Sequence, residues 1–184
     1  MALCGIDEAG RGPLAGDLVM AGVILKTPIE GLNDSKVLSE KKREALYPKI
    51  IENSEYHIVS FSAEDIDQHG ISWCLGEGLK SIMKHLQSDD FLFDGNSTFG
   101  VSGLRTMVKA DAKIPEVSAA SILAKVTRDR AMVVSAETYP KYGFEKHKGY
   151  GSKAHIEAIR MFGYTPIHRK TYRIKALEKT LFDT

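Results

Sequence analysis

Two adjacent carboxylates, Asp7 and Glu8, follow the short apolar stretch Leu3-Cys4-Gly5-Ile6, and a turn at Gly10, Arg11 and Gly12 comes directly after them. A strand that delivers paired acids to its end, beside glycines and a cation, can hold metal ions against a phosphate. Two more acids stand in similar settings. Asp94 closes Asp90-Phe91-Leu92-Phe93 ahead of Gly95-Asn96, and Asp111 follows Met107-Val108-Lys109-Ala110. Adjacent acids repel unless a cation compensates them, so four carboxylates at strand ends point to a divalent-metal site. Asp7 and Glu8 face opposite ways if their strand continues. One would then ligate through its side chain while the other approaches around the turn.

The same turn matches a different pattern. Gly10-Arg11-Gly12-Pro13-Leu14-Ala15 has the G-x-G-x-x-A form, and Glu30 lies where a dinucleotide site would carry its ribose-binding acid. That fingerprint must open a helix, whereas here a continuous apolar strand follows within a few residues. Asp7 and Glu8 would also set negative charge against a pyrophosphate. The nucleotide-cofactor reading therefore yields to the metal one.

The elements that must position these residues alternate along the chain. Leu18 to Leu25 is an unbroken apolar run, expected as a buried strand. Ser39 caps a charged helix through Leu46 and Ile50. His57 to Ser62 reads as a third strand, and Ile71 to Leu86 has a helical period through Cys74, Leu75, Leu79 and Ile82. Phe91 to Phe93 and Met107 to Ala110 are the expected fourth and fifth strands. Ser118-Ala119-Ala120-Ser121-Ile122-Leu123-Ala124-Lys125 is helical and rich in small residues, which suits either tight helix packing or close approach of a nucleic-acid strand. That helix stops before Pro140. Ser152 caps a last helix through Ile156, Ile159 and Phe162, ending at Gly163. This alternation indicates one α/β domain with its sheet at the centre.

With 184 residues, 43% hydrophobic and 27% charged, the chain suits one globular domain. Its net charge of +1 hides a segregation. Between Lys141 and Lys179 the bases Lys141, Lys146, Lys148, Lys153, Arg160, Arg169, Lys170, Arg173, Lys175 and Lys179 face only Glu145, Glu157 and Glu178. Such a stretch either meets a polyanion or is a solvated basic face. Cys4 and Cys74 sit among apolar residues and read as small buried hydrophobes. No apolar run is long enough to span a bilayer and acids occur by position 7, so the expected compartment is the cytoplasm, without membrane association.

Taken in order, Asp7-Glu8-Ala9-Gly10-Arg11-Gly12-Pro13-Leu14-Ala15-Gly16, Asn33-Asp34-Ser35-Lys36-Val37-Leu38-Ser39, Phe93-Asp94-Gly95-Asn96, Lys109-Ala110-Asp111-Ala112-Lys113, the segment Ala119 to Asp129 and His147-Lys148-Gly149-Tyr150-Gly151 resemble bacterial type 2 ribonuclease H, ribonuclease HII. The motifs cover nearly the whole chain. Asp17 departs from the proline usual after the glycine turn, and Thr171-Tyr172 from the usual Ser-Phe; neither touches the four acids.

The resemblance implies a ribonuclease H-like fold: a central mixed five-stranded sheet flanked by helices, with residues 1–140 as catalytic core and residues 141–184 as a basic helical extension packed on the same domain. It implies that Asp7, Glu8, Asp94 and Asp111 are the catalytic residues and bind two manganese or magnesium ions. Hydrolysis would cut RNA in RNA–DNA hybrids, and 5′ of ribonucleotides embedded in duplex DNA, leaving a 5′-phosphate and a 3′-hydroxyl. Gly10, Arg11 and Gly12 would read the 2′-hydroxyl, the group that distinguishes RNA from DNA. Tyr150 would pack on the neighbouring sugar, and Lys36, Lys125 and the basic stretch would contact phosphates. None of the six histidines is needed for the chemistry; His147 and His168 are expected near the substrate backbone. Alternatives are another nuclease of the same fold, such as a junction resolvase, and a silent hybrid-binding module. A monomer is expected. The Leu181-Phe182 pair either docks the tail into a sliding clamp or, together with Leu177, seals the last helix on the core.

Overall fold

The computed structural model describes residues 2–33 and 35–178. Leu3–Ala9 (β1) is the middle strand of a mixed sheet completed by Leu18–Leu25 (β2), Ser54–Phe61 (β3), Asp90–Asp94 (β4) and Arg105–Met107 (β5), in the order β3-β2-β1-β4-β5. The β1–β2 and β2–β3 pairs are antiparallel, whereas β1–β4 and β4–β5 are parallel. The helices are Glu40–Glu52 (α1), Ala63–His69 (α2), Ile71–His85 (α3), Pro115–Thr138 (α4), Phe144–His147 (α5), Lys153–Phe162 (α6) and Lys175–Glu178 (α7).

Strand alternation sorts the core into two layers. Cys4, Ile6, Leu18 and Met20 pack with Cys74, Leu75, Leu79 and Ile82 of α3. On the opposite face Val19, Ala21 and Val23 meet Leu46 and Ile50 of α1 and Ala119, Ala120 and Leu123 of α4. Burial on both faces explains why β2 is apolar throughout instead of alternating. A third cluster joins Ala15 and Met132 to Tyr142, Phe144, Ile159 and Ile174, so the C-terminal segment packs on α4 and on the chain just after the glycine turn. Gly5 lets α4 cross β1 closely: a Cβ there would lie 2.3 Å from the backbone of Glu116 and Val117.

Several expected boundaries move. β1 does not stop at Ile6 but carries Asp7 and Glu8 inside it, because β2 pairs with them as Asp7↔Ala21 and Glu8↔Met20. The fifth strand is Arg105–Met107, not Met107 to Ala110; Lys109 is left-handed at φ 57°, and Asp111 sits in the 3-10 turn Ala110–Ala112. Asp111 is therefore not at a strand end. β3 begins at Ser54 and yields after Phe61 to α2, whose Ser62–Asp65 capping box was not read from the sequence. Ser39 and Ser152 cap α1 and α6 as expected. For the small-residue helix, packing is what the alanines do: Ala119, Ala120 and Ala124 are fully buried. Cys4 and Cys74 are buried and free. Among the described residues no helix is long and apolar enough to cross a membrane.

Candidate active site

The β1–β4 register brings two acids side by side. Ile6 pairs with Phe93, so Asp7 and Asp94 are the next neighbours down the parallel pair, and both lie on the α4 face by alternation. The 3-10 turn after β5 adds Asp111, and one carboxylate oxygen from each of Asp7, Asp94 and Asp111 lies within 4.8 Å of the others. Backbone amides fix Asp94: the N–H of Lys109 donates to Oδ1 at 3.2 Å and that of Asp111 to Oδ2 at 3.0 Å. The left-handed kink at Lys109 thus aims two amides at one carboxylate. Glu8, on the opposite face of β1, stands outside this trio. Its Oε1 pairs with Arg11 at 2.7 Å, and its Oε2 is buried with no hydrogen-bond partner among the described residues.

The electrostatics are those of crowded acids. Burial pushes Asp7 well above the usual carboxylate range, and Glu8, Asp94 and Asp111 push it further. Burial likewise raises Glu8, opposed by Arg11. Hard divalent cations take oxygen ligands, and three convergent carboxylates, with the unpartnered Oε2 of Glu8 nearby, fit such an ion.

A cleft of about 640 Å³ surrounds the acids, and Asp7, Glu8, Gly10, Arg11, Gly12, Lys36, Asp94, Asp111, Lys125 and Tyr150 all line it. Ser35, Ser121, Val108 and Lys109 line it too and were not singled out from the sequence. Ser121 had a signal, lying one turn before Lys125 on the same helix face. The Ser35 and Ser121 hydroxyls meet at 2.6 Å and tie the Lys36 loop to α4. Tyr150 is 44% exposed, with Lys125 Nζ 5.8 Å and Arg128 Cζ 5.5 Å from its ring centre. It is a surface tyrosine and not part of the core.

His168 differs from expectation: it is 1% exposed and cannot meet a substrate backbone. Its Nδ1 accepts from the Thr165 N–H at 2.8 Å, and its Nε2 lies 2.9 Å from His155 Nε2. Burial, and then His155, push its pKa down to about 4, and burial lowers that of His155 as well; two Nε2 atoms 2.9 Å apart share a single proton. His168 Nε2–H then donates to His155, whose Nδ1–H donates to the Tyr150 carbonyl at 2.8 Å. His147 stacks on His155 with centroids 4.3 Å apart. Among the described residues no histidine lines the cleft.

A mixed five-stranded sheet with helices on both faces and acids gathered where its central parallel strands end defines the class, a ribonuclease H-like nuclease fold. Solved structures agree. The chain superposes with TM-score 0.83 on ribonuclease HII in the PCNA complex from Archaeoglobus fulgidus, at 27% identity over 95% of this chain and 96% of that one. Against ribonuclease H2 from Pyrococcus horikoshii OT3 the TM-score is 0.81, at 29% identity over the whole of both chains. The family model for ribonuclease HII matches residues 4–177. Ribonuclease HII of Sulfurovum sp. (strain NBC37-1) is 68% identical, covering 98% of this chain and 96% of that protein. That of Aliarcobacter butzleri (strain RM4018) is 62% identical over 95% and 92%. The chain belongs to the ribonuclease HII family, the bacterial type 2 ribonucleases H, and is a ribonuclease H endonuclease.

Proposed function

We propose that the enzyme hydrolyses the RNA strand of RNA–DNA hybrids and cuts on the 5′ side of ribonucleotides embedded in duplex DNA, with two divalent ions, manganese or magnesium, at Asp7, Glu8, Asp94 and Asp111. The observation that carries this reading is the convergence of three carboxylates within 4.8 Å on the floor of a cleft walled by the glycine turn, Lys36, Lys125 and Tyr150. When bound, such ions supply Lewis-acid activation of a phosphate and lower the pKa of a coordinated water. The chain's own residues do the rest. Asp7, Asp94 and Asp111 provide the negative charge that recruits the ions, and Glu8 stays poised beside them on its Arg11 tether. Lys36 and Lys125 hold the phosphate backbone, and Tyr150 presents an exposed ring to a sugar.

Gly12 supports ribose reading by the turn. A Cβ there would meet nothing within 4 Å, so nothing in the fold demands glycine. An unhindered backbone suits a 2′-hydroxyl that must come within hydrogen-bond reach. In this reading residues 1–140 carry the chemistry and residues 141–184 help hold the duplex.

The test is incubation with a DNA duplex carrying one ribonucleotide, with and without manganese, followed by end analysis. A metal-dependent cut leaving 5′-phosphate and 3′-hydroxyl is expected. A 2′,3′-cyclic phosphate would mean that the ribose hydroxyl is the nucleophile and would overturn the reading. Tyr150→Ala should slow cleavage at the lone ribonucleotide far more than it weakens binding of plain duplex; equal losses on every substrate would mean that Tyr150 does not select the ribonucleotide.

A sliding clamp is a candidate partner, since the Archaeoglobus neighbour was solved with PCNA. Here Leu177 packs against the C-terminal core cluster, while Leu181 and Phe182 lie outside the described residues. Deleting Leu181 to Thr184 and measuring clamp binding and melting temperature separates a docking tail from a structural one.

A further inference from the structure

The glycine turn and the Tyr150 loop are irregular segments outside any helix or strand ladder; besides backbone bonds from Leu14 and Ala15 N–H to the Gly149 carbonyl, two buried guanidinium groups hold them. Arg128 of α4 and Arg169, beyond α6, are each 1% exposed. Arg128 donates from Nε to the carbonyl of Asp17, from Nη1 to that of Lys148 and from Nη2 to that of Ala15, at 2.8–2.9 Å. Arg169 donates from Nη2 to Gly10 O at 2.6 Å and Gly16 O at 2.8 Å, and from Nη1 to Arg11 O at 3.1 Å. The Tyr172 hydroxyl donates to the same Arg11 carbonyl at 2.7 Å. Gly10 makes room for this arrangement, since at φ 92° its Cβ would lie 2.2 Å from Arg128 Nε.

The direction of these bonds matters. Among the described residues there is no cis peptide, and in a trans peptide the C=O and the following N–H point opposite ways. Drawing the carbonyls of Gly10 and Arg11 inward onto Arg169 therefore turns the N–H groups of Arg11 and Gly12 outward, at two exposed residues that line the cleft. We propose that Arg169, assisted by the Tyr172 hydroxyl and backed by Arg128, is a positioning residue that presents the Arg11 and Gly12 amides to the substrate's 2′-hydroxyl. This rests on the reading of the turn as the ribose reader. A lysine would not replace Arg169, because one ammonium is a point donor and cannot span three carbonyls as a planar fork does.

The experiment compares the full-length wild type, Arg169→Lys and Tyr172→Phe with manganese. It measures kcat/KM on duplex DNA carrying one ribonucleotide, Kd for the same duplex without it, and melting temperature. If the wild type does not distinguish the two duplexes, the reading of the turn fails and the proposal falls with it. If it does, Arg169→Lys is expected to lose about 10- to 100-fold in kcat/KM at the ribonucleotide, as for hydrogen bonds from a charged donor. Plain-duplex Kd, set by phosphate contacts, should stay within about twofold. Tyr172→Phe removes one exposed hydroxyl, keeps the ring and should lose about fivefold in the same direction. Wild-type kcat/KM in a folded Arg169→Lys, or losses matched by equal weakening of plain-duplex binding, would overturn the proposal. Should Arg169→Lys fail to fold, unchanged ribonucleotide cleavage by Tyr172→Phe would overturn it alone.

Discussion

Asp7 is 8% exposed and shares a 4.8 Å cluster with two other carboxylates, so at the scale of the residue function and stability oppose each other. Asp94→Asn keeps shape and removes one charge from that cluster; activity should fall by orders of magnitude while circular dichroism stays native. Asp7→Asn should do the same to activity and yet raise the metal-free melting temperature, by about 2–4 °C for each kcal/mol of repulsion relieved. The pH dependence has a definite sign. Above the ordinary aspartate value of 3.8, up to its raised value, the folded metal-free protein keeps a proton on Asp7 that the unfolded chain has lost. That contribution to stability is lost as pH rises through the window. The gap in melting temperature between Asp7→Asn and wild type should therefore widen from pH 4 to pH 7, and manganese should close it by stabilising only the wild type. A gap constant with pH would refute the raised Asp7.

At the scale of the element, the site depends on how α4 lies across β1. Gly5 is the contact point, and a methyl group there meets peptide backbone, which cannot swing aside as a flexible side chain would. Gly5→Ala should cost at least about 1–3 kcal/mol and should shift Ser121 and Lys125 relative to Asp7. Thermal melts and kcat measured below the melting temperature check it; a folded Gly5→Ala with wild-type kcat would show that α4 need not sit so close. The boundary of β1 teaches a related point. Two adjacent acids read as the end of a strand because carboxylates rarely enter a sheet, yet β2 hydrogen-bonds past them. Pairing with a neighbour far along the chain outweighed local composition.

For the whole molecule the charge pattern matters more than the sum. Lys36 and Lys125 reach the cleft from a loop and from α4, whereas Lys141 and Lys146 line a separate surface cavity and Lys84 a third. Binding of plain duplex should weaken linearly in log salt, and Lys36→Gln or Lys125→Gln should each reduce that slope by about 1. Lys84→Gln should leave it unchanged. A slope indifferent to both cleft lysines would move the phosphate track elsewhere.

The sequence by itself determined the acids, Lys36, Lys125 and Tyr150 that line the cleft, and the elements β1 to β4, α1, α3, α4 and α6. Asp7, Asp94, Asp111 and Tyr150 stand in motifs whose order along the chain is specific, and the helices capped by Ser39 and Ser152 have local signals that a chain of this composition obeys. What only the tertiary structure decided is how parts distant in sequence meet: Glu8 beside rather than within the carboxylate trio, Asp111 delivered by a left-handed turn, His168 buried under the Tyr150 loop, and Arg169 bonded to carbonyls over 150 positions earlier in the chain. The reason is physical. Caps and hydrophobic periods report contacts a few residues apart, whereas a guanidinium held by backbone carbonyls leaves no pattern, because nearly every residue offers the same acceptor.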